Sequence, residues 1–156
     1  MDLETKVVWR DGMAFDAHLD GHTFTIDAEE QFGGRGLGPR PKGLILTSLV
    51  GCTGMDVISI LRKMRVTVSS FEVSAEARLA AEHPKKLEQI VVTYRFTGAD
   101  LPIERLQRAV QLSEEKYCGV RATLLPNTEI GTEIWVNGKQ LQPTRGSGRS
   151  SMNAQR

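Results

Sequence analysis

The sequence predicts an α+β fold in which antiparallel sheet segments combine with two helices. Its elements follow the order β-β-β-α-β-β-α-β-β, without the regular strand-helix-strand alternation of a doubly wound parallel sheet. The tight-turn dipeptides Asp11-Gly12 and Asp20-Gly21 separate the first three strands at hairpin spacing. A long apolar helix then begins at Pro41, a residue suited to the first turn of a helix.

The first strands lie within residues 3–28, and a glycine- and proline-rich loop covers residues 29–42. We predict short strands at residues 6–10, 14–19 and 22–26, each ending at a turn or at the loop. The loop does not continue into the Gly-Lys-Ser/Thr sequence that a phosphate-binding loop requires. Its glycines therefore do not predict a nucleotide site.

The first helix is predicted from Pro41 to about Arg65. Its first half, Leu44 to Val50, is apolar on nearly every face, which is typical of a buried helix. We expect it to lie under a sheet and against a second helix. One small sheet cannot cover so apolar a helix, so we also expect a homodimer that shares its core.

The second half of the domain is predicted to hold four more strands and a second helix. Strands are expected from Val66 to about Ala80, from Leu87 to Phe96, from Val120 to Leu125 and from Thr132 to Val136, with a turn at Asn137-Gly138. Asp100 can cap the second helix, and Gly119 supplies its stop. One face of that helix follows a 3-4 spacing and comprises Ile103, Leu106, Val110, Ser113 and Tyr117. Residues 1–142 are predicted to form one domain, and residues 143–156 a disordered tail.

Composition excludes several classes of partner. The chain has 156 residues, with 20 basic and 19 acidic side chains and a net charge of +1. That balance gives no electrostatic reason to expect nucleic acid or an acidic membrane. No apolar run approaches the roughly 20 residues needed to span a membrane, and the N-terminus lacks the order of a secretory signal. We expect a soluble cytoplasmic protein.

The two cysteines, Cys52 and Cys118, carry the chemistry that the sequence offers. They lack the close spacing of a four-ligand structural zinc site, and a permanent disulfide is improbable in the cytoplasm. Either both are inert thiols or they form a redox pair. Gly51 and Gly54 flank Cys52 inside the helix, each costing about 1 kcal/mol relative to alanine. That cost suggests a close approach to the backbone, by another helix or by a substrate, although buried cysteines are common.

The predicted helix ends set different roles for the two thiols. Cys118 is expected at the C-terminus of the second helix, where the dipole disfavours a thiolate, so it should stay protonated. Cys52 lies too far into its helix to gain from the N-terminus and needs a cation to become reactive. Arg121 is a lesser candidate for that cation, because its predicted strand also fits an exposed position.

Two segments resemble a known family. The first, Leu46 to Val57, resembles the central helix of the OsmC/Ohr family, the osmotically inducible and organic hydroperoxide resistance proteins. The second, Ser113 to Leu124, resembles the second cysteine segment of that family. Element order agrees over about residues 3–141. The loop before Leu44 is most similar to the OsmC-like branch.

This resemblance implies an intertwined, domain-swapped homodimer whose sheets wrap two long central helices. It also implies a thiol-dependent peroxidase without metal, haem or another cofactor, in which Cys52 is the peroxidatic and Cys118 the resolving cysteine. Arg10 is similar to the arginine that holds the thiolate in the family. The expected substrate is an organic hydroperoxide, and the reductant is an external dithiol on a lipoyl or thioredoxin-like protein. The expected substrate pocket comprises Leu49, Met55, Asp56 and Tyr117, although Asp56 fits a structural role equally well.

The sequence departs from the hydroperoxide-resistance branch at two positions. Lys42 stands where that branch has a glutamate that orients the arginine, which leaves Glu29 or Glu30 as substitutes. Glu114 stands in the region where a histidine often precedes the second cysteine. Two other functions therefore stay open: a non-catalytic dimer that binds a small apolar ligand, and a redox-sensing module.

Overall fold

The computed structural model describes residues 2–142 as two sheets and three helices. The strands are β1 Thr5–Asp11, β2 Ala14–Leu19, β3 His22–Ile26, β4 Ser70–Leu79, β5 Leu87–Thr97, β6 Glu129–Val136 and β7 Lys139–Gln140. The helices are α1 Pro41–Lys63, α2 Ile103–Leu112 and α3 Gly119–Leu124, with a short 3-10 helix at Glu30–Phe32 and a π-helical turn at Ser113–Tyr117. The predicted tail, residues 143–156, lies outside the described residues.

The first sheet has the order β1-β2-β3 and is antiparallel throughout, as predicted. Its hairpins turn at the predicted dipeptides. Gly12 has φ +53°, and Asp20 and Gly21 have φ 49° and 78°. These left-handed conformations match the twist of tight hairpins and explain why glycine and aspartate occur there.

The second sheet has the order β4-β5-β6-β7 and contains one parallel pair, which corrects the prediction of antiparallel segments alone. β5 and β6 run parallel, with Tyr94 opposite Ile134. The connection between them passes through α2 and α3, and a parallel pair requires such a long crossover. The sheet is therefore mixed, and the α+β class is confirmed.

The segment after Cys118 is a helix, so the strand predicted at residues 120–125 is wrong. The Cys118 side chain caps α3 by accepting a hydrogen bond from the backbone N–H of Arg121. This capping outweighs the strand preference of Val120 and Thr123. The same correction applies to Gly119, which begins α3 and does not terminate the preceding helix.

The ends of the other helices and strands lie closer to their predicted positions. α1 begins at Pro41 as predicted and ends at Lys63, close to the expected end at Arg65. β4 begins at Ser70, four residues later than predicted. α2 begins after Pro102 and ends at Leu112, so the predicted second helix is interrupted by the π-helical turn.

One stripe of α1 enters the core of the chain. It consists of Leu49, Thr53, Val57 and Leu61, spaced four residues apart, and its apolar members join residues of α2, β5 and β6. The rest of this apolar helix is open or half-buried within the single chain, which differs from the complete burial that its sequence predicts. By length and composition α1 also meets the criteria for a membrane span, but core helices of soluble proteins do so too.

The first sheet buries few apolar residues, among them Ala14 and Ala17 of β2. Within residues 2–142, the main cluster of buried apolar residues contains no member of β1, β2 or β3. Every residue of β1 is exposed. The solvent-accessible fractions of Val7, Val8 and Trp9 are 52%, 50% and 64%. Contiguous exposed apolar residues of this kind are typical of an interface.

Candidate functional site

The fold brings the two cysteines together. The Sγ atoms of Cys52 and Cys118 and a carboxylate oxygen of Asp56 all lie within 4.8 Å of one another. Cys52 and Asp56 share one face of α1 because they are one helical turn apart. Both cysteines are free thiols in this structure.

The π-helical turn positions the second thiol. It follows α2 directly, and the Cys118 N–H donates to the Ser113 carbonyl oxygen at 2.8 Å, five residues back. This wider turn leads to Cys118, which is the N-cap residue of α3. The sequence predicted a cysteine at the end of a helix, whereas the structure places it at the start of one. Single π-helical turns are rare and occur frequently at functional sites.

The two thiols have different environments. Cys118 is 3% exposed, and burial raises the pKa of its thiol above the ordinary value for cysteine. The hydrogen bond from the Arg121 N–H acts in the opposite direction, because it favours the thiolate. Burial therefore favours the protonated form of the Cys118 thiol, whereas the sequence pattern predicted that the helix dipole would do so. That Cys118 stays protonated remains a prediction. Cys52 is only partly buried.

A chain of hydroxyl groups runs beside the thiols. Ser113 Oγ donates to Asp56 Oδ2 at 3.0 Å, and Ser113 Oγ also lies 3.0 Å from Thr53 Oγ1. Thr53 Oγ1 lies 3.3 Å from the Tyr94 hydroxyl, which donates to Glu114 Oε1 at 3.1 Å. Burial, followed by the nearby Glu114 charge, raises the pKa of Tyr94, which keeps it a neutral donor. The chain thus links the carboxylates of Asp56 and Glu114.

A buried ion pair lies at the Glu114 end of this series of hydrogen bonds. Arg121 Nη1 lies 3.5 Å from Glu114 Oε1, with side-chain exposures of 10% and 15%. Arg121 Nη2 also donates to the Ile130 carbonyl oxygen at 3.1 Å, and Thr132 Oγ1 donates to Glu114 Oε1 at 2.5 Å. Arg121 is thus buried in a helix, which corrects its predicted exposed position in a strand.

Comparison with known proteins identifies the family. A sequence model described as "OsmC-like protein" matches residues 33–133, which include both cysteines. The chain belongs to the OsmC-like family. The resemblance of the two cysteine segments to OsmC/Ohr proteins is therefore confirmed.

Relatives and solved structures extend the match to most of the chain. Protein YhfA of Escherichia coli is 33% identical over 123 residues, covering 78% of this chain and 89% of its own. A hypothetical protein from Aquifex aeolicus has a TM-score of 0.74 at 28% identity, covering 88% of this chain and 98% of its own. The organic hydroperoxide resistance protein OhrB of Bacillus subtilis has a TM-score of 0.59 at 19% identity, covering 86% and 98%. This last likeness shows a shared fold only.

Arg10 contacts residues of its own sheet in this OsmC-like chain. Arg10 Nη1 lies 3.4 Å from Thr25 Oγ1 and 3.7 Å from Asp16 Oδ1, and both the arginine and aspartate side chains are substantially exposed. Those are its polar contacts within residues 2–142. A role beside Cys52 would have to come from the other subunit of a dimer, and it stays a prediction.

The predicted pocket residues differ in their environments within residues 2–142, and their role as a substrate pocket stays a prediction. Leu49 is fully buried in the core, so the structure assigns it to packing. Met55 and Tyr117 are exposed, at 76% and 52%. Asp56 is the member that adjoins the thiols.

The helical glycines beside Cys52 have space around them. A Cβ atom at Gly51 would meet nothing within 4 Å, and one at Gly54 would make an ordinary contact with Val73. Both glycines line an open groove on α1 with Val50 and Met55. The close neighbour that these glycines predict is therefore not part of the described chain.

Glu29, one of the two acidic substitutes suggested for the loop, is engaged elsewhere in the chain. Glu29 pairs with Arg40 and accepts a hydrogen bond from Gln31, and these two contacts, that from Gln31 foremost, lower its pKa. Lys42 is exposed in the first turn of α1. The sequence did not predict the Glu114–Arg121 pair, which lies at the other end of the hydrogen-bonded series from Asp56. Its signal was the placement of Ser113 on the buried helix face, next to Glu114.

The unequal thiol environments predict unequal alkylation. Iodoacetamide is expected to modify Cys52 first, since it is more accessible, whereas Cys118 should react only at pH values above the ordinary thiol range. Mass spectrometry of the reduced protein across a pH series, with Cys52→Ser as the variant that isolates Cys118, checks this. Equal modification of both thiols at neutral pH would contradict the assigned environments.

Proposed function

We propose that this OsmC-like protein is a thiol-dependent peroxidase that reduces organic hydroperoxides. The observation that carries the proposal is the convergence of the Cys52 and Cys118 sulfur atoms within 4.8 Å, although they are far apart in the sequence. A disulfide needs an S–S distance of about 2.05 Å, so closure requires only a local adjustment. The family, whose solved members include organic hydroperoxide resistance proteins, supports the same chemistry.

The reaction divides into three steps. The Cys52 thiolate attacks the terminal peroxide oxygen, so that an S–O bond forms, the O–O bond breaks, and the leaving alkoxide takes a proton to become the alcohol. The Cys118 sulfur then attacks the sulfenic sulfur, forming the disulfide and releasing water. An external dithiol, on a lipoyl or thioredoxin-like protein, reduces the disulfide and takes up the oxidising equivalents.

The environments of the two thiols fit these different tasks. Cys52 lies on a partly exposed face of α1, where a hydroperoxide can reach its sulfur. Cys118 is buried and kept protonated, which protects it from direct peroxide attack until Cys52 has become a sulfenic acid. The peroxidatic role therefore falls to Cys52.

The catalytic unit in this proposal is an intertwined homodimer in the cytoplasm. OsmC/Ohr proteins are generally homodimers, and this chain exposes β1 and leaves most of α1 exposed or half-buried. Joining these apolar surfaces between two copies would supply the core that each lacks. It would also let Arg10 of the other subunit approach Cys52 and stabilise its thiolate.

Thiol titration tests the proposal directly. The reduced protein is mixed with one equivalent of an organic hydroperoxide, and free thiols are counted. We expect both thiols of each chain to disappear rapidly, followed by steady turnover once a dithiol is supplied. Arg10→Ala should slow the thiol loss without changing its extent, whereas Arg78→Ala, an exposed arginine of β4, should change neither.

The other outcomes identify the alternative functions. Loss of both thiols without turnover would indicate a redox-sensing module. Unchanged thiols would favour a binding protein, for which the open groove on α1 offers apolar surface from Val50, Met55, Phe71 and Val73.

A further inference from the structure

Three donor groups converge beside α1, and all three are anions when deprotonated. They are the thiols of Cys52 and Cys118 and the carboxylate of Asp56. Within residues 2–142, the polar contact of the Asp56 carboxylate is the hydrogen bond from Ser113, and the ion pairs of the chain involve other acidic groups. In the reduced state, this cluster therefore attracts protons or a cation.

The donor set matches the preferences of a thiophilic metal ion. Zinc binds cysteine sulfur at about 2.3 Å and carboxylate oxygen at about 2.0–2.2 Å, so tetrahedral coordination places two sulfur ligands about 3.8 Å apart. The sulfurs lie within 4.8 Å, and a small side-chain rotation brings them to that separation. Two thiolates and one carboxylate leave a fourth position open, unlike the four-ligand structural site that the cysteine spacing excludes.

The groups around these donors already orient them. Ser113 is fully buried and holds Asp56 Oδ2, which leaves Oδ1 of that carboxylate available. The backbone N–H of Arg121 donates to Cys118 Sγ at 3.4 Å. Outer hydrogen bonds of this kind fix ligand orientation at metal sites.

We propose that the reduced protein binds one thiophilic divalent cation, represented by zinc, through Cys52, Asp56 and Cys118. The ion and the disulfide exclude each other, because both use the same two sulfur atoms. This second statement rests on the proposed peroxidase function. When a hydroperoxide oxidises the bound form, two thiolates give two electrons, the peroxide takes up two protons, and the products are the disulfide, an alcohol, water and the released ion.

Zinc binding to the reduced full-length chain in chelator-free buffer tests the site. Isothermal titration with zinc alone is expected to give one ion per chain. Cobalt should produce a thiolate-to-metal charge-transfer band, which reports sulfur ligation independently of activity. Cys52→Ser and Cys118→Ser should each weaken zinc binding by about 100-fold or more, and Asp56→Asn by about 10- to 100-fold. Asp20→Asn, at an exposed turn, is the matched carboxylate control and should bind as the unaltered protein does.

Two results would overturn the proposal: no zinc binding by the reduced chain, or equal binding by the Cys52→Ser variant. Circular dichroism verifies the fold of each variant. If Cys118→Ser does not fold, zinc titration of the Cys52→Ser and Asp56→Asn variants, which alter partly exposed residues, still tests the site. Peroxide turnover measured in metal-free protein separates the two proposals, because zinc binding without turnover refutes only the peroxidase, and turnover without zinc binding refutes only the metal site.

Discussion

Replacing Cys52 with serine is expected to reduce hydroperoxide consumption to the rate of the uncatalysed reaction. Serine keeps the size of the side chain but has no accessible anion at neutral pH, so no nucleophile remains to attack the peroxide oxygen. Cys118 cannot substitute for it, because that thiol is buried and its pKa is raised. Consumption of an organic hydroperoxide with excess dithiol measures the effect.

The Cys118→Ser variant provides the complementary result. It should consume one equivalent of peroxide and stop at a sulfenic acid on Cys52, which a sulfenic-acid-specific reagent traps and mass spectrometry detects. The unaltered protein should instead form an intramolecular disulfide. Undiminished turnover in Cys52→Ser would refute the proposed mechanism, and so would the absence of an intramolecular disulfide from the unaltered protein after treatment with one equivalent of peroxide.

Replacing Glu114 with glutamine is expected to lower the free energy of unfolding by about 3 kcal/mol. Removal of one member of a buried ion pair leaves the other as an uncompensated buried charge. The Arg121 guanidinium would keep only its bond to the Ile130 carbonyl oxygen and the weaker dipole of the amide. Chemical denaturation, followed by circular dichroism, measures the loss.

Two comparisons make this prediction specific to the buried pair. The double variant Glu114→Leu, Arg121→Met should recover much of the lost stability, because it removes both charges and retains apolar volume. Glu88→Gln, which alters the exposed Arg78–Glu88 pair, should change the unfolding free energy by less than about 0.5 kcal/mol. Equal effects of Glu114→Gln and Glu88→Gln would show that burial of the Glu114–Arg121 pair contributes no stability.

The local elements were predictable where a strong short-range signal exists. Turn dipeptides marked the first three strands, and Pro41 with the apolar run after it marked α1. The segment after Cys118 was predicted as a strand because it contains strand-forming residues. In the structure, the Cys118 sulfur accepts a hydrogen bond from the Arg121 N–H and caps a helix, and the sequence pattern did not indicate this contact. The π-helical turn was missed because it continues the helical pattern of α2 with only a wider hydrogen-bond spacing.

The candidate site was predictable in identity but not in environment. The family resemblance singled out Cys52 and Cys118, and periodicity placed Ser113 on a buried face. The sequence carried no sign that Thr53, Tyr94 and Glu114 form one hydrogen-bonded chain, since these residues come from α1, β5 and the turn after α2. Contacts between such distant positions depend on how the elements pack.

Residue order alone therefore specified most of the element types, the family and the two thiols, because turns, caps and helical periodicity act over a few neighbouring residues. Tertiary packing alone decided the burial of Cys118 and Arg121 and the convergence of the two sulfurs with Asp56. Those properties depend on desolvation and on distances of a few ångströms, and both arise only when distant segments are folded against each other.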